Sequence, residues 1–287
     1  MFIIDGKSIA DKVKDEVVAE TIKLAQAGSV RPNLAIILVG EREDSKLYVD
    51  LKQKEAFKVG IDTHLYKFSE TVSEEELLKT IKFLNTDPEI DAVLIQLPLP
   101  EHLDTEKILE TLDTKKDADG FLADKPDYVL SPVIGAILRI LSEIAFVPKD
   151  KKACILYNSE VFGQTVKEVL EKLELKIKAV SLKDFENKNK EEKKDLFEKA
   201  QKACLSSDLI ISALGLPEFI DESFVSDGAV IIDIGISKVD GKTKGDADAN
   251  SLSVKKDIWL TPVPGGVGPI TIAMLFKNVL AIFNHRK

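Results

Sequence analysis

Leu34–Val39 reads LAIILV, six apolar residues without a break between Pro32 and Gly40. So short an unbroken run is a strand covered on both faces, because a half-buried strand alternates and a helix runs longer. The signature returns at Ala92–Gln96 (AVLIQ), Ala153–Tyr157 (ACILY), Leu209–Ala213 and Ala229–Ile234. Ile61–Lys67, Lys176–Ser181 and Asp257–Leu260 add further strands. Helical patterns lie between them. Ile9, Val13, Val17 and Leu24 mark the first, with Gly28 at its C-terminal cap. Asp44 or Ser45 is placed to cap the second, which Gly60 ends after Val59. Ser73-x-x-Glu76 forms a capping box before Leu77, Leu78, Ile81 and Leu84. Ile108, Leu109 and Leu112 sit on a short helix; Gly163 is expected in the turn before a helix to Leu173; Pro269 is expected to open a C-terminal helix. Such alternation predicts parallel sheets with helices on both faces. Two sets of strands predict two α/β domains, joined between Lys115 and Pro132, where polar, Gly and Pro residues cluster.

The 287 residues suit two modest domains. A formal net charge of −9 argues against a general nucleic-acid partner. Cys154 and Cys204 stand in unrelated contexts and offer neither a disulfide framework nor zinc spacing, which fits a reducing, cytoplasmic setting. The opening MFIIDGKSIADK turns polar too early for a secretory core. The long apolar stretch Val133–Val147 is broken by Arg139 and Glu143, so no membrane span is expected. His64, His102 and His285 lack partners at metal or triad spacing, so no metal is expected. Residues 183–202 are rich in Lys and Glu; the apolar stripe Phe185, Leu196, Phe197 and Ala200 marks a solvated surface helix with its lead-in loop.

In open α/β sheets ligands bind beyond the carboxyl ends of the strands. Five segments carry residues suited to chemistry, several with a plainer alternative. Tyr48 and Lys52 share one helix face. They form either a ring-and-amine pair for a flat ligand or part of a solvated face. Gln96 ends a buried strand, where its amide serves a ligand or the loop backbone. Lys115–Phe121 (KKDADGF) fails as a calcium loop, since its first ligand position is Lys115 and its twelfth Pro126. It is either an Asp-Gly turn or a carboxylate aimed at an amidine-like edge, as in a pterin or guanine. Thr261–Pro269 (TPVPGGVGP) packs three prolines and three glycines before a helix, more than a turn alone requires. Tyr157–Thr165 (YNSEVFGQT) stands where a dinucleotide fold places its phosphate loop, without a G-x-G-x-x-G motif.

Taken together and in order, these segments resemble the bifunctional methylenetetrahydrofolate dehydrogenase/cyclohydrolase family. The matching stretches are Tyr48-Val49-x-x-Lys52-x-Lys54, Ile95–Pro100 (IQLPLP), Lys116–Phe121, Ser212-Ala213-Leu214-Gly215-x-Pro217, Asp233–Ile236, Gly245-Asp246 and Thr261–Asn278. The resemblance implies a folate-binding catalytic domain over residues 1–120, with a helix at 266–287 packing back on it. It implies a second, Rossmann-like NAD(P)-binding domain over 121–265 with a mainly parallel sheet, the two around a cleft. It implies oxidation of methylenetetrahydrofolate to the methenyl form and hydrolysis to 10-formyltetrahydrofolate, in a cytoplasmic homodimer. Carried over residue by residue, Lys52 is the catalytic lysine, Tyr48 lies against the folate, Gln96 hydrogen-bonds the lysine and Asp119 grips the pterin edge. Pro264, Gly265, Gly268 and Thr271 line the same site. Ser131, Tyr157, Asn158, Ser159 and Ile236 fall on the cofactor side.

The departures are all in the nucleotide half. Tyr157-Asn158-Ser159 stands where the family usually has Gly-Arg-Ser. Ser131-Pro132-Val133-Ile134-Gly135 is one residue longer than the usual Thr-Pro-x-Gly, the segment after Phe121 is shorter, and Lys183–Lys202 replaces a His-Ser-Arg-Thr-like stretch. The expected cofactor is therefore NADP or NAD. Asp184, 21 positions after Gly163, favours NAD, and Lys183 favours NADP. Two other functions fit these departures: a cyclohydrolase with a weakened dehydrogenase half, and a non-catalytic folate- or nucleotide-binding regulator.

Overall fold

The computed structural model describes residues 1–122, 126 and 129–286. Strand β1 (Phe2–Ile3) and helix α1 (Gly6–Gln26) open the chain. There follow β2 (Asn33–Val39), α2 (Glu43–Lys58), β3 (Asp62–Phe68), α3 (Glu74–Thr86), β4 (Ala92–Ile95), α4 (Thr105–Glu110) and α5 (Pro132–Glu143). A second series runs β5 (Lys152–Tyr157), α6 (Glu160–Glu171), β6 (Lys176–Ser181), α7 (Lys190–Leu205), β7 (Leu209–Ala213), β8 (Val230–Asp233), β9 (Ser237–Val239), β10 (Lys242–Lys244), α8 (Ala249–Leu252), β11 (Trp259–Leu260) and α9 (Val267–Arg286).

The chain forms two compact units. One comprises residues 10–135 and 271–287; the other comprises 1–9 and 136–270. The boundaries differ from the expected 1–120 and 121–265 because three helices, α1, α5 and α9, contain them. The first nine residues fall in the unit with 136–270 because β1 adds to the edge of its sheet, Phe2 pairing with Trp259 and Ile3 with Leu260. A two-residue strand carries no periodicity, so the sequence hides it.

The unit of residues 10–135 and 271–287 is built on a parallel sheet in the order β3-β2-β4. Leu34, Ile36, Leu38 and Leu94 face a core with Val17 of α1, Val49 and Ala56 of α2, and Ile272, Leu275, Phe276 and Val279 of α9. Ala35, Ile37, Val39, Val93 and Ile95 face the opposite core, with Leu77, Ile81 and Leu84 of α3 and Ile108 of α4. Both faces of β2 are therefore covered, which is why its sequence is apolar at every position from Leu34 to Val39. Ser73 accepts the Glu76 N–H at 3.3 Å and caps α3. At α2 the cap position is Arg42, whose side chain makes no capping bond, rather than Asp44 or Ser45.

By length and composition it is α9, rather than Val133–Val147, that could cross a bilayer. Its apolar side chains are used instead in the core just described. It begins at Val267, two residues before Pro269.

The other unit carries a six-stranded sheet, order β1-β11-β8-β7-β5-β6, all pairs parallel. An antiparallel hairpin, β9–β10, turns through Asp240 (φ 51°) and Gly241 (φ 74°). That is the Asp-Gly signature of a tight hairpin. Gly163 lies inside α6, not in the turn before it; Ser159 is the cap. Cys154 and Cys204 are not unrelated: both are buried, with Sγ atoms 3.5 Å apart and thiols free. The hydrogen bond to the Cys154 sulfur, and then burial, push the Cys204 thiol far up, as for an inert core cysteine.

Candidate active site

Helix α2 buries Val49 and Ala56 and turns Tyr48 and Lys52 to its other side, one turn apart. Tyr48 is 41% exposed, a ring free to stack on a flat ligand. Lys52 is half-buried, and its Nζ donates to Gln96 Oε1 at 3.0 Å. Gln96 extends the ladder one residue beyond β4, its N–H bonding the Ile37 carbonyl at 2.9 Å. Its own Nε2 donates to the Leu97 carbonyl at 2.8 Å, which orients the amide oxygen toward Lys52. One end of the amide thus serves the loop backbone and the other meets Lys52.

The Lys115–Phe121 segment divides in the same way. Ala118 and Lys116 bond the backbone of Val93, laying the segment along β4. Asp117, buried, accepts the N–H groups of Asp119 (3.1 Å), Gly120 (3.0 Å) and Leu122 (3.0 Å), and so builds the turn. That leaves the Asp119 carboxylate outside the turn's hydrogen bonds and within electrostatic reach of Lys52. From inside the core, Asn278 of α9 donates Nδ2 to the Ala118 carbonyl at 2.8 Å and to the Leu130 carbonyl at 2.7 Å. In the sequence Asn278 stands beside Lys277 in the middle of a mainly apolar helix.

Desolvation shifts both ionisable groups toward neutrality. It lowers the Lys52 pKa below the ordinary 10.5, against an opposing pull from Asp119. It raises Asp119 to about 6, with Lys52 lowering and Asp117 adding to the shift. A neutral glutamine beside Lys52 orients the amine without stabilising its ammonium as a carboxylate would. The arrangement is an amine able to take a proton and a carboxylate able to accept two hydrogen bonds, held within one unit.

Thr271 lies in α9, in the same unit; Pro264, Gly265 and Gly268 belong to the other. In the Thr261–Pro269 loop Gly265 adopts φ 103°, and a Cβ on Gly266 would fall 2.5 Å from the Pro262 carbonyl. Those two glycines have structural reasons. Gly268 has open space where a Cβ would sit.

The remaining expected residues flank the carboxyl ends of β5, β7 and β8. Asn158 donates Nδ2 to the Leu214 carbonyl at 2.7 Å, and Ser159 caps α6. Ile236 is half exposed. Ser131 falls outside this unit, one residue before α5. The loop after β7 is held by Asp246, which accepts from Ser212 Oγ (2.7 Å) and the N–H groups of Leu214 (2.8 Å) and Leu216 (2.9 Å). Asp233 likewise holds Gly235 and Ala247, and burial with the Asp246 charge raises it to about 7. Spacing alone did not single out this pair. Gly235 and Gly245 mark it, since a Cβ on either would strike the opposite carboxylate at 2.1 Å. Gly215 (φ 67°) opens onto free space, so a planar ligand can approach the backbone there. Among the described residues no group of His, Cys, Asp or Glu is placed to hold a metal ion.

Residues 4–119 match the tetrahydrofolate dehydrogenase/cyclohydrolase catalytic domain, and residues 132–287 match the NAD(P)-binding domain of the same enzymes. The chain belongs to the tetrahydrofolate dehydrogenase/cyclohydrolase family. It is 36% identical over 294 residues to the bifunctional protein FolD of Sulfurihydrogenibium sp., covering 100% of this chain and 99% of that one. It superposes with a TM-score of 0.89 and 30% identity on the FolD methylenetetrahydrofolate dehydrogenase/cyclohydrolase of Campylobacter jejuni, covering 99% of each chain. The Trypanosoma brucei enzyme, solved with NADP and an inhibitor, matches at TM-score 0.87 and 27% identity over 99% of this chain and 97% of its own. Within this family frame the Lys52–Gln96–Asp119 group lies in the catalytic-domain match, and the β5–α6 turn in the NAD(P)-binding one.

Proposed function

We propose that this protein oxidises 5,10-methylenetetrahydrofolate to the 5,10-methenyl form with NAD(P)+ and hydrolyses that product to 10-formyltetrahydrofolate. The observation that carries the reading is the half-buried Lys52 amine, biased toward its neutral form and aimed by Gln96 at 3.0 Å.

Hydrolysis requires water to add to a cationic carbon between two nitrogens and to lose a proton. Neutral Lys52 takes that proton, its ammonium returns one to the ring nitrogen whose bond to that carbon then breaks, and the carbon-bound hydroxyl releases its proton to water as it becomes the formyl carbonyl. Gln96 keeps the amine in one position through both transfers. Asp119 accepts hydrogen bonds from the amidine-like edge of the pterin, and Tyr48 covers the ring face. Pro264, Gly265, Gly268 and Thr271 are assigned to the same substrate.

Nicotinamide supplies a hydride acceptor when bound. The fit on the protein side is the capped N-terminus of α6 beside β5, with the open approach at Gly215. Ser131, Asn158, Ser159 and Ile236 are assigned to its contacts. Hydride transfer asks the protein mainly for alignment, so the loops pinned by Asp246 and Asp233 serve as fixed walls.

We further propose a cytoplasmic homodimer. Free thiols at Cys154 and Cys204 fit a reducing compartment. Exposed Val30 and Phe57 beside edge strand β3 supply an apolar surface for a second copy. The enzymatic reading is tested by following 340 nm absorbance with methylenetetrahydrofolate and each nicotinamide nucleotide, and methenyltetrahydrofolate decay without nucleotide. Both signals should appear; absence of either removes the corresponding activity.

A further inference from the structure

In a parallel nucleotide-binding sheet the adenosine ribose lies near the end of the second strand, beside the turn that leads into the first helix. Here those elements are β6 and the β5–α6 turn. They are stitched together: Tyr157 pairs with Ser181, and the Leu182 N–H bonds the Tyr157 carbonyl at 2.7 Å. The segment Leu182-Lys183-Asp184 thus leaves β6 directly beside the turn.

Two features make this corner acidic. Asp184 adopts a left-handed conformation (φ 57°, ψ 24°) at the head of a short turn, and its side chain makes no capping bond. The carboxylate is not consumed locally, and Asp tolerates this conformation better than most residues. The second feature is Tyr157. Its ring lies against the first turn of α6, where a Cβ on Gly163 would come within 2.6 Å of it. The residue is 5% exposed, and its hydroxyl donates to Glu160 Oε2 at 3.2 Å. The aromatic ring therefore fills the space that the glycine opens and fixes a second carboxylate at the helix start. Lys183 is the one cation in the Leu182–Asp184 segment.

We infer that this corner selects a nicotinamide cofactor that lacks the 2′-phosphate, with Asp184 accepting from the free ribose hydroxyls. A carboxylate accepts both hydroxyls of an unmodified ribose, whereas a 2′-phosphate removes one donor and brings charge of the same sign against Asp184 and Glu160. This inference rests on the NAD(P)-binding reading above and names the determinant within it.

The test is fluorescence titration of the intact protein with NADH and with NADPH, which reads binding without turnover, followed by steady-state kinetics with both oxidised cofactors. NADH should bind at least tenfold tighter than NADPH. Asp184→Asn should narrow that ratio to threefold or less while leaving the far-ultraviolet spectrum intact. Lys183→Ala should change both affinities by a similar factor. Equal or tighter binding of NADPH by the parent protein, an unchanged ratio in Asp184→Asn, or a selective loss of NADPH in Lys183→Ala overturns the inference. If neither nucleotide binds, the NAD(P)-binding reading falls with it; if both bind without preference, only the inference falls.

Discussion

Replacing Asp119 with Asn removes a charge that the fold holds at a cost, so the variant should be more stable and less able to bind folate. The magnitude follows from the displacement of its pKa from the ordinary 3.8 to about 6, with desolvation the largest cause. At 1.36 kcal/mol per tenfold change, ionising Asp119 in the folded state costs up to about 3 kcal/mol more than in the unfolded chain. The sign is set by the proton. The folded state holds it more tightly, so native stability gains as pH falls from about 6 toward 4, and the cost is fully present above about 6. Asn mimics the neutral acid and lacks the cost. Urea unfolding should therefore show Asp119→Asn more stable by up to about 3 kcal/mol at pH 7.5, with the gain shrinking to nearly nothing at pH 4. Folate affinity should fall by about 2–4 kcal/mol, as expected for lost charge-assisted hydrogen bonds. A variant no more stable at pH 7.5, or one whose gain persists unchanged at pH 4, would refute the argument that Asp119 is a desolvated carboxylate held for ligand.

Three further outcomes are expected. Methenyltetrahydrofolate hydrolysis should decline as pH falls through the lowered Lys52 pKa, because only the neutral amine takes a proton; a rate that does not fall on acidification contradicts this. Lys116→Met should destabilise by about 2–4 kcal/mol in chemical denaturation, since the buried Nζ donates to the Leu84 (2.7 Å) and Asp87 (2.8 Å) carbonyls at the end of α3. Gly163→Ala should cost about 1–3 kcal/mol by crowding the Tyr157 ring, yet be neutral or stabilising in a Tyr157→Ala background, a cycle read by thermal unfolding.

The parallel strands were legible because burial on both faces leaves an unbroken apolar run, as at Leu34–Val39. The chain's crossings between units were not. Residues 1–9 join the nucleotide-binding sheet through a two-residue strand, and α9 meets β2 across more than two hundred residues of sequence. The β9–β10 hairpin did carry a signal, Asp240-Gly241, which its short polar strands obscured. In the site, Lys52, Gln96 and Asp119 each stood out singly, and the fold adds what makes them a group: the 3.0 Å contact, the shared desolvation and the turn built by Asp117. Asn278, Asp233 and Asp246 lie in stretches that resemble the family, but the sequence shows no role for them because most of their partners lie 14 to 160 residues away in the chain. Gly163 was misplaced because a glycine after a strand suggests a turn, whereas here it makes room for a ring inside the helix.

The central claim is that one amine, Lys52, performs the hydrolytic proton transfer while hydride transfer needs only alignment. Assaying both reactions on purified, folded Lys52→Met tests it most directly. The account predicts cyclohydrolase activity reduced by 100-fold or more, within the range that a positioned proton-transfer group supplies, with a measurable fraction of dehydrogenase activity retained. Undiminished hydrolysis of methenyltetrahydrofolate by the folded variant would contradict it.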